Sequence, residues 1–388
     1  MTILQIVSCR GWSSDAYWAA RAAVELERAG QDVTLVCKRR SEERVMRRAR
    51  EAGVNRIESL ALASGVDPLA DARDLRRLVG WLPQTDVLHV HRGKEHWLAA
   101  LANRLSRVRR PLVRTRHIVQ PVRPHALNRW LYRRATDQVV TVTEAIRRQL
   151  VAAGLVDADR VAALAGGVDA ARFRPGAADP DGLRGRLGVA SGTPIVGLVS
   201  GFRVMKGHQI VVEAAARLAA EGRRFHLLLV GQGPFAPRVR AQIEAAGLGA
   251  RTSVLGFVDD LPATMAGIDA ALYSALESDG MSRVLFEYLA AGVPVVASRV
   301  AAEGLPYTDG KDLLIAEESS EFARALVRLW RDRQLADSLA REGRRTVEPF
   351  TPARIAETVA RHYREALGIG DSARPYSDAY APAIAATS

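Results

Sequence analysis

Short apolar runs alternate with amphipathic stretches along the first half of the chain. Buried strands are predicted at residues 3–8, 33–37, 86–91, 112–115 and 138–142, and helices at 14–29, 96–105 and 144–153. Strand and helix units of these lengths are typical of a parallel sheet that is covered by helices on both faces. The pattern therefore predicts an α/β fold for this half of the chain.

A stretch rich in turn-forming residues, 168–187, interrupts this alternation and is predicted to link two domains. Strands are predicted again at 195–200, 225–230, 253–256, 270–274 and 293–298, with helices at 208–220, 236–246 and 282–291. We therefore predict two doubly wound, Rossmann-like parallel-sheet domains, residues 1–168 and 169–353. A last helix at 354–368 is expected to pack back on the first domain, and the aperiodic tail at 370–388 is expected to be mobile.

Length and composition fit two folded domains, since the chain has 388 residues of which 48% are hydrophobic and 25% charged. No apolar stretch approaches the roughly 20 residues of a membrane-spanning helix, and the N-terminus lacks the basic region of a secretory signal. We therefore expect a cytoplasmic protein. Cys9 and Cys37 fall in predicted strands and are expected to be buried thiols, and no Cys/His cluster has metal-ligand spacing.

The net charge of +12 is concentrated in one segment. No acidic residue occurs between Glu95 and Asp137, whereas ten arginines lie within residues 104–134. Such a patch attracts phosphate-bearing partners, namely anionic lipid, nucleic acid or a phosphorylated substrate, unless it is only a solvated basic face. Residues 124–134 predict a basic amphipathic helix whose apolar side either contacts an anionic membrane surface or joins the core of the first domain.

Candidate chemistry follows the predicted strand at 270–274. A polar turn with Gly280 leads into a helix that begins near Ser282, where free backbone N–H groups and the helix dipole favour an anion. Glu287 lies on the first turns of this helix, and a carboxylate there accepts hydrogen bonds from sugar hydroxyls. A capped helix with an acidic first turn is the structural alternative.

A second candidate element follows the strand at 195–200. Its loop carries Arg203 and Lys206 before Gly207 and a helix, and two cations at this position suit a diphosphate. Gly231 opens a third element, Gly-Gln-Gly-Pro-Phe-Ala, which has the letters of a dinucleotide fingerprint. We reject that interpretation because no acidic residue follows at the usual interval and Pro234 occupies the loop.

Asp279 and Glu287 are eight residues apart and precede the run Tyr-Leu-Ala-Ala-Gly-Val-Pro-Val-Val-Ala-Ser. This segment resembles the E-x7-E motif of the family 4 (group 1) retaining glycosyltransferases, which have the GT-B fold of two Rossmann-like domains facing across a cleft. The resemblance implies that Asp279 contacts the donor sugar, that Glu287 binds the ribose, and that donor sugar and phosphate are held by Gly280, Met281 and Ser282. Asp279 replaces the glutamate of the family, so its carboxylate is one methylene shorter.

The resemblance extends to most of the chain. Arg203 and Lys206 match the bases that neutralise the diphosphate, and His117 matches a histidine that faces the donor sugar. The remaining donor-side positions that the resemblance implies are Gly11 and Trp12 after the first strand, Gly231, and the base-flanking pair Phe257 and Val258. The family pattern has two glycines after the first strand, so Trp12 implies a different entrance for the acceptor.

These motifs imply transfer of a sugar from a UDP-, GDP- or ADP-sugar to a cell-envelope glycan, such as lipopolysaccharide core, or to a lipid-linked acceptor. The resemblance implies retention of anomeric configuration, with cations in place of a metal and no cofactor. A location on the inner face of the cell membrane follows if residues 104–134 bind anionic lipid. The alternatives are a nucleotide-sugar epimerase that needs no acceptor and a nucleic-acid binder, and the chain lacks the aromatic and basic motifs that the latter requires.

Overall fold

A computed structural model describes residues 1–39, 42–177, 182–278 and 280–369, without the side chains of residues 42–44. The predicted tail at 370–388 lies outside the described residues, as does Asp279. The described chain forms two compact units. The first contains Met1–Gly167 and the last helix, and the second contains Val168–Ser278 and Ser282–Thr351, while Gly280 and Met281 group with the first.

The first unit is built on a seven-stranded, all-parallel sheet in the order β3-β2-β1-β4-β5-β6-β7. Its strands are β1 Thr2–Val7, β2 Asp32–Lys38, β3 Arg56–Leu60, β4 Val87–Val90, β5 Leu112–Arg116, β6 Gln138–Thr141 and β7 Val161–Ala163. Its helices are α1 Ser14–Arg28, α2 Glu42–Glu51, α3 Pro68–Trp81, α4 Gly93–Leu105, α5 Ala126–Arg133 and α6 Glu144–Ala152.

The second unit is built on a six-stranded parallel sheet in the order β10-β9-β8-β11-β12-β13. Its strands are β8 Ile195–Val199, β9 His226–Val230, β10 Thr252–Leu255, β11 Ala270–Tyr273, β12 Val295–Ala297 and β13 Leu314–Ile315. Its helices are α7 Gly182–Leu187, α8 His208–Ala220, α9 Ala236–Ala245, α10 Leu261–Ala266, α11 Arg283–Ala290, α12 Ser319–Arg331 and α13 Arg333–Val347, and the chain continues into α14 Pro352–Ala366. The predicted α/β class with two parallel-sheet domains is confirmed.

The core of the first unit covers both faces of its sheet. Side chains alternate along a strand, so Ile3 and Val7 of β1 pack in one apolar cluster while Leu4 and Ile6 pack in another. α1 covers the first face with small residues such as Ala19 and Ala23, and the last helix, α14, packs against α1. No helix among the described residues is long and apolar enough to span a bilayer.

In each sheet the strand order reverses once, between β1 and β4 in the first unit and between β8 and β11 in the second. The strands are parallel, so the loops at their carboxyl ends meet along one edge of each sheet. Doubly wound sheets bind ligands at this reversal point, where adjacent loops run in opposite directions. A ligand of either unit is therefore expected at its switch point.

Candidate active site

His117 lies at the carboxyl edge of the first sheet, directly after β5, and is linked to His91 after β4 and through it to Gln5 on β1. Its Nε2 atom is 3.0 Å from Nδ1 of His91, the residue after β4. The Nε2 atom of His91 is 2.9 Å from Nε2 of Gln5 on β1, and Trp18 of α1 packs its ring edge-on against both histidines. Burial lowers the pKa of His117 to about 4 and that of His91 well below its ordinary value, so both rings are neutral at pH 7.

His89 has a different environment, in which both ring nitrogens have partners within the core. Nδ1 is 2.6 Å from the hydroxyl of Tyr363 on α14, and Nε2 is 2.7 Å from that of Thr115 on β5. Its side chain is fully buried. His89 therefore connects the sheet to α14 and is a structural residue, whereas His117 is half-buried at the edge of the sheet.

Two charged residues that the sequence did not single out complete this edge. Asp15, in the first turn of α1, is buried and accepts a hydrogen bond at 2.5 Å from Nε of Arg92, which follows His91 at the end of β4. The hydroxyl of Ser13 donates to its other oxygen. Burial alone would raise the pKa of Asp15, but His117, Arg92 and the hydrogen bonds from Ser13 and Arg92 lower it to about 2. The sequence signal for Arg92 is its position two residues after β4, whereas Asp15 lies in the first turn of α1, eight residues after the end of β1.

The loop between β1 and α1 contains the two donor-side positions that were predicted there. Trp12 is half-buried and packs edge-on against Tyr17, with ring centroids 6.1 Å apart. A methyl group added at Gly11 would meet no heavy atom within 4 Å, so packing among the described residues does not require glycine at this position.

In the second unit, Arg203 and Lys206 lie on the loop that follows β8. Arg203 is exposed, whereas Lys206 is only 6% exposed on a single turn of 3₁₀ helix. Its ammonium group donates to the hydroxyl of Tyr273 at 3.2 Å and lies 5.5 Å from the centre of that ring. Because Tyr273 is the last residue of β11, Lys206 lies at the reversal of the second sheet.

Two glycines bring the loops of this edge close together. Gly207 has a φ of +66°, and a Cβ there would collide with the carbonyl oxygen of Ser274. Gly231 has a φ of +150°, and a Cβ there would collide with the carbonyl oxygen of Ser200. Glycine is needed at both places because any other residue would push the β8 loop away from its neighbours. Beyond β10, Phe257 is 75% exposed and Val258 is half-buried.

The segment after β11 forms the predicted turn and helix. Gly280 has a φ of +108°, Met281 is partly buried, and Ser282 is the N-cap residue of α11. The hydroxyl of Ser282 is buried and forms no hydrogen bond with the described residues. Asp279 falls outside the described part of the chain, so its predicted contact remains a prediction.

Glu287 lies on the second turn of α11 and is buried. One carboxylate oxygen is 3.0 Å from Nε of Arg283, whereas the other forms no hydrogen bond to any described residue. Burial raises the pKa of Glu287, and Arg283 and Arg172 oppose this rise. The adjacent Tyr288 accepts a hydrogen bond from the backbone N–H of Val199 at 2.6 Å, so α11 is fixed to the end of β8.

The second unit thus brings together two cations, a helix N-terminus and a carboxylate with an unsatisfied oxygen at the reversal of its sheet. The cations and N–H groups suit phosphate oxygens, and the carboxylate suits a hydroxyl donor. The described residues contain no cluster of three or more His, Cys, Asp or Glu side chains that could hold a metal ion.

Comparison with known proteins gives consistent similarities. Residues 193–332 match the family model for glycosyl transferases group 1, and residues 17–172 match that for glycosyltransferase family 4. The chain is 33% identical to 2-deoxystreptamine glucosyltransferase of Streptomyces kanamyceticus over 313 residues, which cover 75% of this chain and 73% of the relative. It is 32% identical to D-inositol 3-phosphate glycosyltransferase of Nocardia farcinica over 325 residues, which cover 76% and 69%.

Among solved structures, that of an Anabaena protein in complex with UDP and glucose has the same fold. The TM-score is 0.78 at 21% sequence identity, and the match covers 95% of this chain and 99% of that one.

Proposed function

The chain belongs to the group 1, family 4 glycosyltransferases, and from this premise we propose that it transfers a sugar from a nucleoside-diphosphate sugar to an acceptor hydroxyl, with retention of anomeric configuration. The observation that carries the proposal is the grouping of Lys206 and Glu287 on the two elements that flank the β8–β11 reversal. A buried ammonium and a carboxylate with an unsatisfied oxygen match the diphosphate and ribose of such a donor.

In this proposal the donor lies along the carboxyl edge of the second sheet. Lys206 and Arg203 bind the diphosphate, and the N–H groups near Ser282 bind its phosphate oxygens. Glu287 accepts hydrogen bonds from the ribose hydroxyls. The donor sugar is assigned to Asp279, Gly280, Met281 and His117, and the base to Phe257 and Val258. Gly231 shapes the loop beside the diphosphate, and Gly11 and Trp12 line the donor phosphate and the entrance for the acceptor.

The fixed cations stabilise the charge that develops on the diphosphate as the bond to the sugar breaks. They take the place that a divalent metal has in other transferases, so we propose a metal-independent reaction without a cofactor. The acceptor hydroxyl attacks from the face that the leaving group vacates, and a phosphate oxygen of the leaving group takes the proton. This course retains the anomeric configuration and needs no protein base.

The donor site is tested by thermal unfolding with UDP, GDP, ADP and their sugars, while released nucleotide is measured in parallel. One nucleotide should raise the midpoint, because a ligand that binds only the folded state stabilises it by about 2.7 kcal/mol at a concentration of 100 Kd. The complex of the Anabaena structure makes UDP the first candidate. No shift with any nucleotide in folded protein would overturn the donor site, and an epimerised sugar without nucleotide release would favour the epimerase.

For the acceptor we propose a lipid-linked or cell-envelope glycan, which the enzyme meets at the inner face of the cell membrane. The support is a surface that we call the α4–α5 surface, formed by Trp97, Leu101 and Leu105 of α4 with Leu127 and Trp130 of α5. Leu101 and Leu105 follow Trp97 at intervals of four residues, so the three side chains lie along one face of α4.

The two helices of this surface meet where Trp97 stacks on Trp130, with ring centroids 5.9 Å apart. Leu105 and Leu127 are each 64% exposed, so both helices present apolar side chains to solvent. The exposed arginines of the acid-free segment belong to the same stretch of chain. Two of these arginines, Arg109 and Arg133, form ion pairs with Asp137 and Asp157. An exposed apolar stripe beside an arginine-rich segment fits an anionic bilayer, whose interface takes up both.

Co-sedimentation with phosphatidylglycerol and phosphatidylcholine vesicles tests this partner. The protein should bind the anionic vesicles, and salt should weaken the binding. Leu101→Ser/Leu105→Ser should reduce binding at least tenfold, whereas Leu69→Ser, at a leucine that is 72% exposed on α3, should not. Equal binding to both kinds of vesicle would exclude a preference for anionic lipid. No binding at low salt would exclude the membrane partner and favour a free acceptor, as the names of the relatives indicate for 2-deoxystreptamine and D-inositol 3-phosphate.

A further inference from the structure

We infer that Gln5 and His91 are positioning residues that fix the tautomer of His117, so that the proton of its neutral ring is on Nδ1. The inference follows from hydrogen-bond chemistry along three side chains, of which Gln5 lies on β1 and the two histidines directly follow β4 and β5. Its consequence for catalysis rests on the proposed role of His117 at the donor sugar, whereas the tautomer itself does not depend on that role.

The first step is the orientation of the Gln5 side-chain amide. Its Nε2 atom lies 3.0 Å from the backbone carbonyl oxygen of Ala19, which only accepts hydrogen bonds. The nitrogen of the amide, not its oxygen, must therefore face Ala19. Gln5 is fully buried on β1, so water has no access that would allow the reversed orientation.

The second step is the protonation of His91. The same Nε2 atom of Gln5 lies 2.9 Å from Nε2 of His91. An amide nitrogen has two hydrogens and donates only, and the first hydrogen is taken by Ala19. The second hydrogen therefore points to His91, whose Nε2 must accept it and must be unprotonated. A neutral ring has one proton, so that of His91 is on Nδ1.

The third step is the protonation of His117, which follows from that of His91. Nδ1 of His91 lies 3.0 Å from Nε2 of His117. Since His91 donates at this contact, Nε2 of His117 accepts, and the proton of a neutral His117 is on Nδ1. Burial lowers the pKa of both rings, which keeps them in the neutral form at pH 7 that this argument requires.

The surrounding packing prevents the chain from adjusting. The backbone N–H of His91 donates to the carbonyl oxygen of Ile6 at 3.2 Å, so His91 stays in register with β1. Trp18 contacts both rings edge-on, at centroid distances of 5.5 Å and 5.6 Å, and limits their rotation. The sheet and the packing of Trp18 thus fix the positions of the two histidine rings relative to Gln5.

The consequence is that His117 offers a hydrogen-bond donor, at Nδ1, to an oxygen of the bound sugar or phosphate. In the other tautomer Nδ1 would present a lone pair and would repel an acceptor oxygen at the same place. Gln5 lies in the interior and does not touch the substrate, but through the tautomer of His117 it determines which hydroxyl or phosphate oxygens that ring can bind.

The test is ¹⁵N NMR of protein with labelled histidine at pH 7 without ligand, with signals assigned through single histidine variants. For His91 and His117 we expect pyrrole-like Nδ1 and pyridine-like Nε2 shifts. Gln5→Glu places an acceptor opposite His91 and should convert both rings to the Nε2-protonated form. Gln5→Met removes the donor and should leave His117 as a mixture of tautomers. Gln84→Glu, at an exposed glutamine, should change neither ring.

A wild-type His117 protonated on Nε2, or a spectrum unchanged in folded Gln5→Met protein, would overturn the inference. A kinetic readout then connects it to turnover: Gln5→Met should lower kcat about tenfold with little change in the KM for the donor. If the tautomer is as stated but no transferase activity or nucleotide binding is found, the positioning chain stands and the proposed function fails.

Discussion

The carboxylate of Asp15 accepts a hydrogen bond from Nε of Arg92 at 2.5 Å, and this pair ties the first turn of α1 to the end of β4. The two elements flank the switch point of the first sheet, where the strand order reverses and adjacent loops diverge. The Asp15 side chain is 6% exposed and that of Arg92 is 35% exposed, so the charge of Asp15 is removed from water and depends on its partners.

We expect the interactions of Asp15 with His117, Arg92 and Ser13 together to contribute about 2 kcal/mol to stability when Asp15 is ionised, because they lower its pKa from 3.8 to about 2. Because the pKa of Asp15 is lower in the folded state, this stabilisation is fully present above the pKa of the unfolded state. It is lost as pH falls from about 4 to about 2. Urea unfolding of Asp15→Asn between pH 2 and 7 measures it. The variant should be less stable at pH 7, and the difference should shrink across this window.

The matched control is Asp157→Asn, which removes a surface pair with Arg133 and should cost less than about 1 kcal/mol. If Asp15→Asn behaves like this control at pH 7, the ionised carboxylate of Asp15 does not stabilise the switch point.

Glu287→Gln should stabilise the unliganded protein and weaken nucleotide binding. Burial raises the pKa of Glu287 in the folded state. The folded protein therefore loses stability as pH rises from the pKa of the unfolded state through that of the folded state. Glutamine has no charge at this position, so the variant does not have this loss. Loss of a charge-assisted hydrogen bond to the ribose should raise the Kd of the nucleotide about tenfold or more. Thermal unfolding with and without nucleotide measures both effects in one experiment, and an unchanged Kd would remove Glu287 from the donor site.

Lys206→Met should lower kcat by about 100-fold or more, because it removes a fixed cation from the developing charge on the diphosphate. Methionine keeps the buried stem of the side chain, and the smaller Lys206→Ala should fold and lose turnover as well. Lys311→Ala, at an exposed lysine of the same unit, is the control and should leave the rate unchanged. Steady-state turnover near the wild-type value in either Lys206 variant would contradict the assignment.

The central strands of both sheets could be predicted because they are continuous apolar runs, as in β8, where all five residues are buried. The edge of the first sheet was missed for a physical reason. β3 has exposed Arg56 and Glu58 alternating with half-buried residues, so its apolar signal is weak. Likewise, the turn-rich composition of residues 168–187 concealed α7, which has Leu183 as its buried residue.

The helix predicted within residues 124–134 forms as α5, and its apolar side is divided between the core and solvent. Leu131 is buried in the core of the first unit, whereas Leu127 is exposed. Helical periodicity predicts that these side chains lie near one another, but it does not predict how closely the helix packs against the sheet. That depth depends on neighbours such as Trp97, which are distant in sequence.

The candidate site shows the same limit. Arg203, Lys206 and Glu287 belong to local motifs and could be selected from the sequence. The pairs Asp15–Arg92 and Gln5–His91 are 77 and 86 residues apart, and only the parallel order of β1 and β4 brings them together. A sequence pattern identifies residues on one loop, whereas pairing across strands requires the register of the sheet.

The two ends of α8 offer a test of the backbone contact that positions Lys206. Gly207 precedes the helix with a φ of +66°, and Gly222 follows it with a φ of +69°. The two glycines have nearly the same backbone conformation, so an alanine at either position pays the same left-handed strain of about 1 kcal/mol. They differ in space: a Cβ at Gly222 meets nothing within 4 Å, whereas a Cβ at Gly207 collides with the carbonyl oxygen of Ser274.

Gly222→Ala should therefore lower the free energy of unfolding by about 1 kcal/mol, and Gly207→Ala by about 2 kcal/mol more, because the backbone of β11 has to move. The same movement displaces Lys206 from Tyr273, so only Gly207→Ala should also weaken nucleotide binding. Urea unfolding and nucleotide titration of the two variants separate strain from collision. Equal losses of stability would mean that the β8 loop yields freely at Ser274, and that the close approach of these loops does not hold Lys206 in place.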